Sequence, residues 1–300
     1  MTNSVIAIDI GGTKIAAALV DASDPTRVLH KMRVPTPPSN VLAEVSAVIR
    51  SLLNLSTGTV LGVGIGAPGV IDPVRGTVVS SGPTMSGWAG TAIAKTLSNE
   101  FSLPIAVHND VRIMGLGEAT FGAGQEFGST LFVSLGTGVG GAIVRDGRLQ
   151  KSPHFTAGEL RGLIGRQADG TAASIEDFAS GTGLAATYNR LHGTNIDLHE
   201  IMRRYESGDA GAQEVIARNM TGLGETLAGF ASAIDVDAIV VGGGVATIGE
   251  PIMEPLTAAF RACALPPLNT IPIIRAELGT DAPLIGAAWW ALTTIKENKQ

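Results

Sequence analysis

Short apolar runs rich in valine and isoleucine alternate along the chain with stretches of helical periodicity. Residues 5–10, 16–20, 60–65, 105–107, 130–135, 142–144 and 238–241 read as strands. Between them, apolar positions recur at helical spacing over residues 41–53, 90–100, 112–120, 183–191 and 211–234. Such alternation predicts α/β layers. Asp146-Gly147, just after an apolar run, is a hairpin signal, and the proline-rich residues 35–39 read as a surface connection. One pattern occurs twice. IAIDIGGTKIAAALVD and, much later, LFVSLGTGVGGAIVRDG both read strand, glycine-rich turn, strand, as in a duplicated architecture with two similar turns facing one cleft.

A chain of 300 residues exceeds what one core usually organises, so two domains are expected. Its 39 glycines cluster beside apolar runs, which points to tight turns and close backbone approach rather than to linkers. The net charge of −6 comes without a basic block, so there is no footprint for nucleic acid. Cys263 is the only cysteine, which rules out an internal disulfide or a thiolate zinc site and fits a reducing cytoplasm. The start, MTNSVIAIDIGGTK, lacks a signal-peptide pattern, and no apolar stretch approaches the ~20 residues that span a bilayer.

Three glycine-rich turns and one acid carry candidate chemistry. In Asp9-Ile10-Gly11-Gly12-Thr13-Lys14, glycines at a strand end let backbone N–H groups face a phosphate, and Thr13 adds a hydroxyl. Asp9 could hold a metal through water, or could cap its own backbone in an ordinary hairpin. Gly136-Thr137-Gly138 offers the same chemistry, and Gly242-Gly243-Gly244 leaves room for a flat base or ribose. None is G-x-x-x-x-G-K-[ST], and no acid follows as a dinucleotide fold requires, so P-loop and Rossmann readings are disfavoured. Asp110 falls where a buried strand meets a helix. A carboxylate there can accept a hydroxyl proton during phosphoryl transfer, or serve as an ordinary N-cap.

In order along the chain, IDIGGTK, GVGIGAPGVID, HND, SLGTGVGG, IEDFASG and VVGGGVA resemble the ROK family of sugar kinases over nearly the whole length. The resemblance implies an α/β, actin-like (ribonuclease H-like) two-domain ATPase fold, with ATP and sugar in the interdomain cleft. It implies a small N-terminal α/β lobe of residues 1–115 plus 284–300, to which the terminal helix returns, and a large C-terminal α/β lobe of residues 116–283. By position, Gly11, Gly12 and Thr13, with Lys14 reaching toward phosphate, match a first phosphate loop, and Asp9 a water-mediated Mg²⁺ site. Gly136, Thr137 and Gly138 match a second phosphate loop and Gly242, Gly243 and Gly244 an adenosine turn. Asp110 matches the catalytic base. Asn109, Glu159 and Glu176 match sugar ligands, and Gly66 a turn lining the sugar site. ATP, Mg²⁺, a small sugar and a homodimer are the implied partners, with no nucleic acid and no membrane.

Departures from the family pattern bear on substrate. The usual Glu-x-Gly-His step is here Glu159-Leu160-Arg161-Gly162, and residues 163–174 contain no cysteine, so no structural zinc is expected. Thr84-Met85-Ser86-Gly87-Trp88 stands where the family usually begins with asparagine. Loss of a side chain at Gly162 leaves room for a bulkier sugar substituent, which slightly favours N-acetylmannosamine within a general expectation of a hexose or N-acylhexosamine phosphorylated at its 6-hydroxyl. Glucokinase or another hexokinase of the family is the alternative. So is a sugar sensor, in this chain without the DNA-binding helix-turn-helix of the family's repressors, because the first strand begins at Val5. These residues admit ATP or polyphosphate as donor, and they bring Arg161 near the sugar pocket.

Overall fold

The structure is a computed structural model describing residues 3–82, 85 and 87–297; Thr84 and Ser86 lie outside the described residues. The chain divides into two compact units, residues 1–125 with 147–157 and 278–300, and residues 126–146 with 158–277.

In the first unit β1 (Ser4–Ile10), β2 (Lys14–Asp21), β3 (Val28–Pro35), β4 (Val60–Ala67) and β7 (Ile105–Asn109) form a sheet in the order β3-β2-β1-β4-β7. A small hairpin, β5 (Val70–Asp72) and β6 (Thr77–Ser80), stands outside it. β1 is antiparallel to β2 and parallel to β4, and β4 is parallel to β7. One face of the sheet packs on α1 (Val41–Leu55) and α2 (Ile93–Phe101) around Ile8, Ile49, Ile65 and Leu97. The other face carries the terminal helix α9 (Ala282–Glu297), with Ile113 of α3 (Asp110–Phe121) and Leu284, Ala287 and Ala291 against Val5, Ala7 and Val20. Trp290 and Trp289 of α9 pack edge-on, Trp290 against His108 at 4.9 Å and Trp289 against Phe121 at 5.2 Å. The short β10 (Arg148–Leu149) also belongs to this unit.

In the second unit β8 (Ser129–Leu135) lies between antiparallel β9 (Val139–Arg145) and parallel β13 (Ala238–Gly242), and β14 (Ile273–Arg275) continues parallel beyond β13. β11 (Ile164–Arg166) and β12 (Ala172–Ser174) make a separate hairpin that leads into α4 (Ile175–Ala179) and α5 (Gly181–His192). α6 (Leu198–Glu206), α7 (Ala210–Ile234) and α8 (Glu250–Cys263) complete the unit. Its core gathers Leu131, Val133, Phe178, Leu223, Leu227, Val241 and Phe260. The strand–turn–strand pattern seen twice in the sequence is thus β1–β2 in one unit and β8–β9 in the other, each followed by parallel strands.

Several boundaries differ from the periodicity. The helix expected over residues 90–100 starts at Ile93, because Gly90 takes φ 83° and Val78 donates its N–H to the Thr91 carbonyl. β3, α6 and α8 are elements that periodicity does not predict. β3 is an edge strand with three successive exposed residues, α6 buries only Ile201, and α8 contains Pro251 and Pro255. The Asp146-Gly147 turn has both residues at positive φ, 50° and 69°, as a tight hairpin needs. Among the described residues no helix is long and apolar enough to cross a membrane.

Successive side chains on a strand face opposite ways, so Gly62, Gly64 and Gly66 present one bare stripe of β4. A Cβ at Gly64 would lie 1.8 Å from the Ala287 carbonyl oxygen, so α9 sits on the strand backbone to backbone. Gly64→Ala should therefore destabilise the protein by about 2 kcal/mol or more, the cost of overpacking against a backbone that cannot rotate away. Urea denaturation is the measurement; an unchanged midpoint would mean that α9 is not held there.

Candidate active site

Because β1, β4 and β7 are parallel, their carboxyl ends share one edge of the first sheet. Asp9 pairs with Gly66, and Gly66 with His108, so these residues form a row across that edge. Beyond Ile10 the chain turns through residues 11–13, where Gly11 donates its N–H to the Lys14 carbonyl at 2.9 Å. Thr36 ties the turn down from outside: its hydroxyl donates to the Gly11 carbonyl at 2.6 Å and its N–H to the Thr13 carbonyl at 3.1 Å. Gly66, expected in a turn, is a residue of β4. A Cβ there would come 3.3 Å from the Asp110 Cα and 3.6 Å from Asp9 Oδ1, so its bare backbone lets the two acids approach.

At the end of β7 the helix cap is Asn109 rather than Asp110. Asn109 Oδ1 accepts the Arg112 N–H at 3.1 Å, while its Nδ2 donates to the Gly69 carbonyl and to Asp110 Oδ1 at 3.1 and 2.8 Å. Asp110 opens α3, and its Oδ1 also accepts the Val111 N–H at 2.9 Å. Its carboxylate plane is therefore set by two donors on one oxygen. Arg112, nearly inaccessible, donates Nε to the Ala157 carbonyl at 2.9 Å.

Two titrating groups in this row are shifted. Burial, with the Asp110 charge as second cause, pushes Asp9 from 3.8 up to about 7 against the opposing pull of Lys14. Burial and then the Arg112 charge drive His108 from 6.5 down to about 3, so its imidazole is neutral at physiological pH. Because Asn109 donates its N–H to His108 Nδ1 at 2.8 Å, that neutral ring carries its proton on Nε2.

In the second unit the candidate turns again follow parallel strands. Gly136 donates its N–H to the Gly138 carbonyl at 2.9 Å and accepts from the Gly181 N–H at 2.8 Å, which sets the start of α5 against the turn. The Thr182 hydroxyl donates to the Thr137 carbonyl at 2.7 Å. Glu176, from α4, accepts the Val139 N–H at 2.9 Å, and a Cβ on Gly138 would fall 2.4 Å from the same Oε2. Only glycine leaves that carboxylate its place. Gly243, at φ 88°, lies where a Cβ would be 2.4 Å from the Leu135 carbonyl, and Val245 donates its N–H to that carbonyl at 2.9 Å. The second and third glycine clusters therefore share one edge of this sheet. Glu159 stands beside Arg161, with Arg161 Nε 3.8 Å from Glu159 Oε1. Gly162 faces open space, with nothing within 4 Å of a Cβ built on it.

Within the first unit the structure brings together Asp9, the turn to Lys14, Gly66, Asn109 and Asp110. Within the second it gathers Gly136, Thr137, Gly138 and Glu176 beside Gly243, with Glu159 paired separately to Arg161. Sequence reasoning missed Thr36 and Thr182, which lock the two turns, because a threonine outside a motif carries no local signal. The cysteine-free residues 163–174 form a turn and the β11–β12 hairpin. Among the described residues no group of three or more His, Cys, Asp or Glu side chains could hold a metal ion.

The Asp9 shift has a definite sign in stability. With a folded pKa raised from 3.8 to about 7, Asp9 contributes stability that is fully present below pH 3.8 and lost as pH rises through 7. Asp9→Asn, neutral throughout, should leave the ligand-free protein more stable than wild type at pH 8, and the gap should close toward pH 4. Thermal unfolding across that range is the check, and a gap that widens toward acid would contradict the assignment.

The sequence profile of the ROK family matches residues 5–294. A glucokinase of Halalkalibacterium halodurans is 30% identical over 323 aligned positions, covering 98% of this chain and 96% of the relative. The crystal structure of a ROK hexokinase from Thermus thermophilus superposes with a TM-score of 0.86 at 30% identity, covering 98% of this chain and 99% of the other. A ROK family glucokinase from Streptomyces griseus, in complex with glucose and AMPPNP, superposes with a TM-score of 0.78 at 30% identity, covering 95% and 98%. The fold is the α/β, two-domain, actin-like fold of these sugar kinases, and the chain belongs to the ROK family.

Proposed function

We propose that this ROK-family sugar kinase transfers the terminal phosphate of ATP to the 6-hydroxyl of a hexose or N-acylhexosamine, with Asp110 as base. The observation that carries the reading is the fixed Asn109–Asp110 pair at the junction of β7 and α3, in one row with Asp9 and Gly66. At the first turn of α3 the helix dipole favours the ionised carboxylate by roughly 0.3–1 kcal/mol. As the sugar oxygen bonds to the γ-phosphorus, its proton passes to the Asp110 carboxylate. The bond between that phosphorus and the β-phosphate oxygen breaks, and ADP leaves.

The remaining assignments follow from the turns. Gly11, Gly12, Thr13 and Lys14 in the first unit, and Gly136, Thr137 and Gly138 in the second, offer backbone and side-chain donors to phosphate oxygens. Gly242, Gly243 and Gly244 offer a bare surface to adenosine. Asp9 would hold Mg²⁺ through water. The donor set fits, because burial and then the Asp110 charge raise the cost of ionising Asp9, and a divalent cation offsets it. Bound there, the ion neutralises charge on the phosphates.

For the sugar, Asn109 and Asp110 are the first unit's ligands, beside the bare backbone of Gly66, and Glu159 and Glu176 the second unit's. The open space at Gly162 supports a substrate bulkier than glucose at that point, and N-acetylmannosamine is our preferred member of the class. The exposed single cysteine and the lack of a membrane-spanning helix among the described residues support a cytoplasmic setting.

An ADP-release assay with Mg-ATP against N-acetylmannosamine, N-acetylglucosamine, glucose, mannose, fructose and allose should show turnover on at least one sugar. Asp110→Asn should lower kcat by about 10²–10⁴-fold, the usual weight of a general base, with sugar binding largely kept. Wild-type turnover in that variant would overturn the base assignment. Silence over the whole panel with sugar still bound would turn the reading toward a sensor.

A further inference from the structure

Glu176 reaches the second glycine-rich turn from an element that cannot support itself. α4 is five residues long, and the strands of the hairpin before it have three residues each. Helices and hairpins this short are not stable alone. Both are seated on α7, whose Arg218 also donates to the Ala168 carbonyl at 3.2 Å, and one α7 side chain binds the two of them together. Asn219 of α7 is fully inaccessible; its Oδ1 accepts the Ala168 N–H at 2.7 Å and its Nδ2 donates to the Phe178 carbonyl at 2.9 Å. One amide therefore joins the loop of the hairpin to α4, two residues from Glu176. Around it, Gly222 leaves room for the hairpin backbone, since a Cβ there would lie 1.8 Å from the Arg166 carbonyl oxygen. On the exposed side Arg190 grips the same loop through Asp169 at 2.7 Å and Gln167 at 2.9 Å.

We infer that Asn219 is a positioning residue, which holds α4 against α7 so that Glu176 stays on the Val139 amide and fixes the shape of the second glycine-rich turn. The inference rests on the reading of that turn as a phosphate loop. Its physical basis is asymmetry: a buried amide that loses one partner leaves a backbone group unsatisfied, and a five-residue helix held otherwise by the packing of Ile175, Phe178 and Ala179 yields more readily than α7. α7 itself is long, capped by Asp209, and needs no such bond to persist. Damage at Asn219 should therefore travel toward Glu176 rather than through the core.

The test is amide hydrogen exchange by NMR on the full chain, with steady-state kinetics on the same proteins, for wild type, Asn219→Asp and Asn219→Leu. Asn219→Asp keeps the acceptor for Ala168 and loses the donor to Phe178, so it probes the α4 side even if the leucine variant folds poorly. The Val139 amide should exchange about tenfold faster in the variants while Phe132 and Val240, inside the sheet, keep wild-type protection. KM for ATP, and for the sugar that Glu176 also holds, should rise about tenfold with kcat less affected, and adding Glu176→Gln to Asn219→Leu should cost no more than the worse single change. Unchanged Val139 protection, a loss shared equally by Phe132 and Val240, or multiplying kinetic losses would overturn the inference. Should wild type phosphorylate no sugar, the kinase reading fails, while the exchange comparison still decides whether Asn219 positions Glu176.

Discussion

The bare stripe of Gly62, Gly64 and Gly66 along β4 is the constraint on which the first unit depends. A side chain at any of the three would meet something already in place: the Ile295 side chain, the Ala287 carbonyl, or the Cα of Asp110. The same stripe therefore does two jobs at its two ends. Along most of its length it lets α9 lie on the sheet, which brings Trp290 edge-on to His108 and buries that ring. At its carboxyl end it admits the start of α3, and with it Asp110, to the neighbourhood of Asp9. Ligand sites of open α/β sheets form where carboxyl ends of parallel strands share an edge, and β1, β4 and β7 present such an edge. Packing and site geometry are here one requirement.

Burial behind that stripe also sorts the charges. His108 is held neutral with its Nδ1 committed to the Asn109 N–H, so it shapes the strand–helix junction without competing for a proton. Its contribution to stability is complete above pH 6.5 and lost as pH falls toward about 3. Asp9 runs in the opposite sense over much of the same range, so the two slopes offset in the wild-type protein. Asp110 differs from both, for it stands at a helix N-terminus with two donors on one oxygen.

Strands with continuous valine and isoleucine were legible in the sequence because the central strands β1, β8 and β13 are buried on both faces, and uninterrupted apolar runs are what such strands require. β3 was not, since an edge strand with most of its residues exposed carries Lys31 and Arg33 where a central strand would carry valine. α8 was hidden by its prolines, although Pro251 falls in the first turn, where a missing N–H costs nothing. For the site, the motifs located the turns and the acids, yet not their braces. Asn109 rather than Asp110 as cap follows from where β7 ends, which no spacing rule resolves to one residue. Thr36, Thr182 and Asn219 act over 25, 45 and 51 or 41 residues of chain, so periodicity has nothing to say about them.

The two units solve one problem by different means. Each ends a strand of a β-hairpin in a glycine-rich turn, and such a turn, lacking side chains, has no packing of its own to keep its N–H groups aimed. In the first unit the brace is a neighbouring connection: Thr36 bonds both ends of the turn from the stretch after β3. In the second it is a helical corner, with Gly181 and Thr182 of α5 on one side and Glu176 of α4 on the other. A carboxylate as brace has a consequence that a hydroxyl does not. Glu176 brings a carboxylate beside a turn read as a phosphate loop, so the hydrogen bond that it accepts from the Val139 N–H must hold that group on the flank rather than the face of the turn. A turn braced this way depends on how well the acid is anchored, which is why the buried amide beneath α4 matters more to it than its distance from the turn suggests.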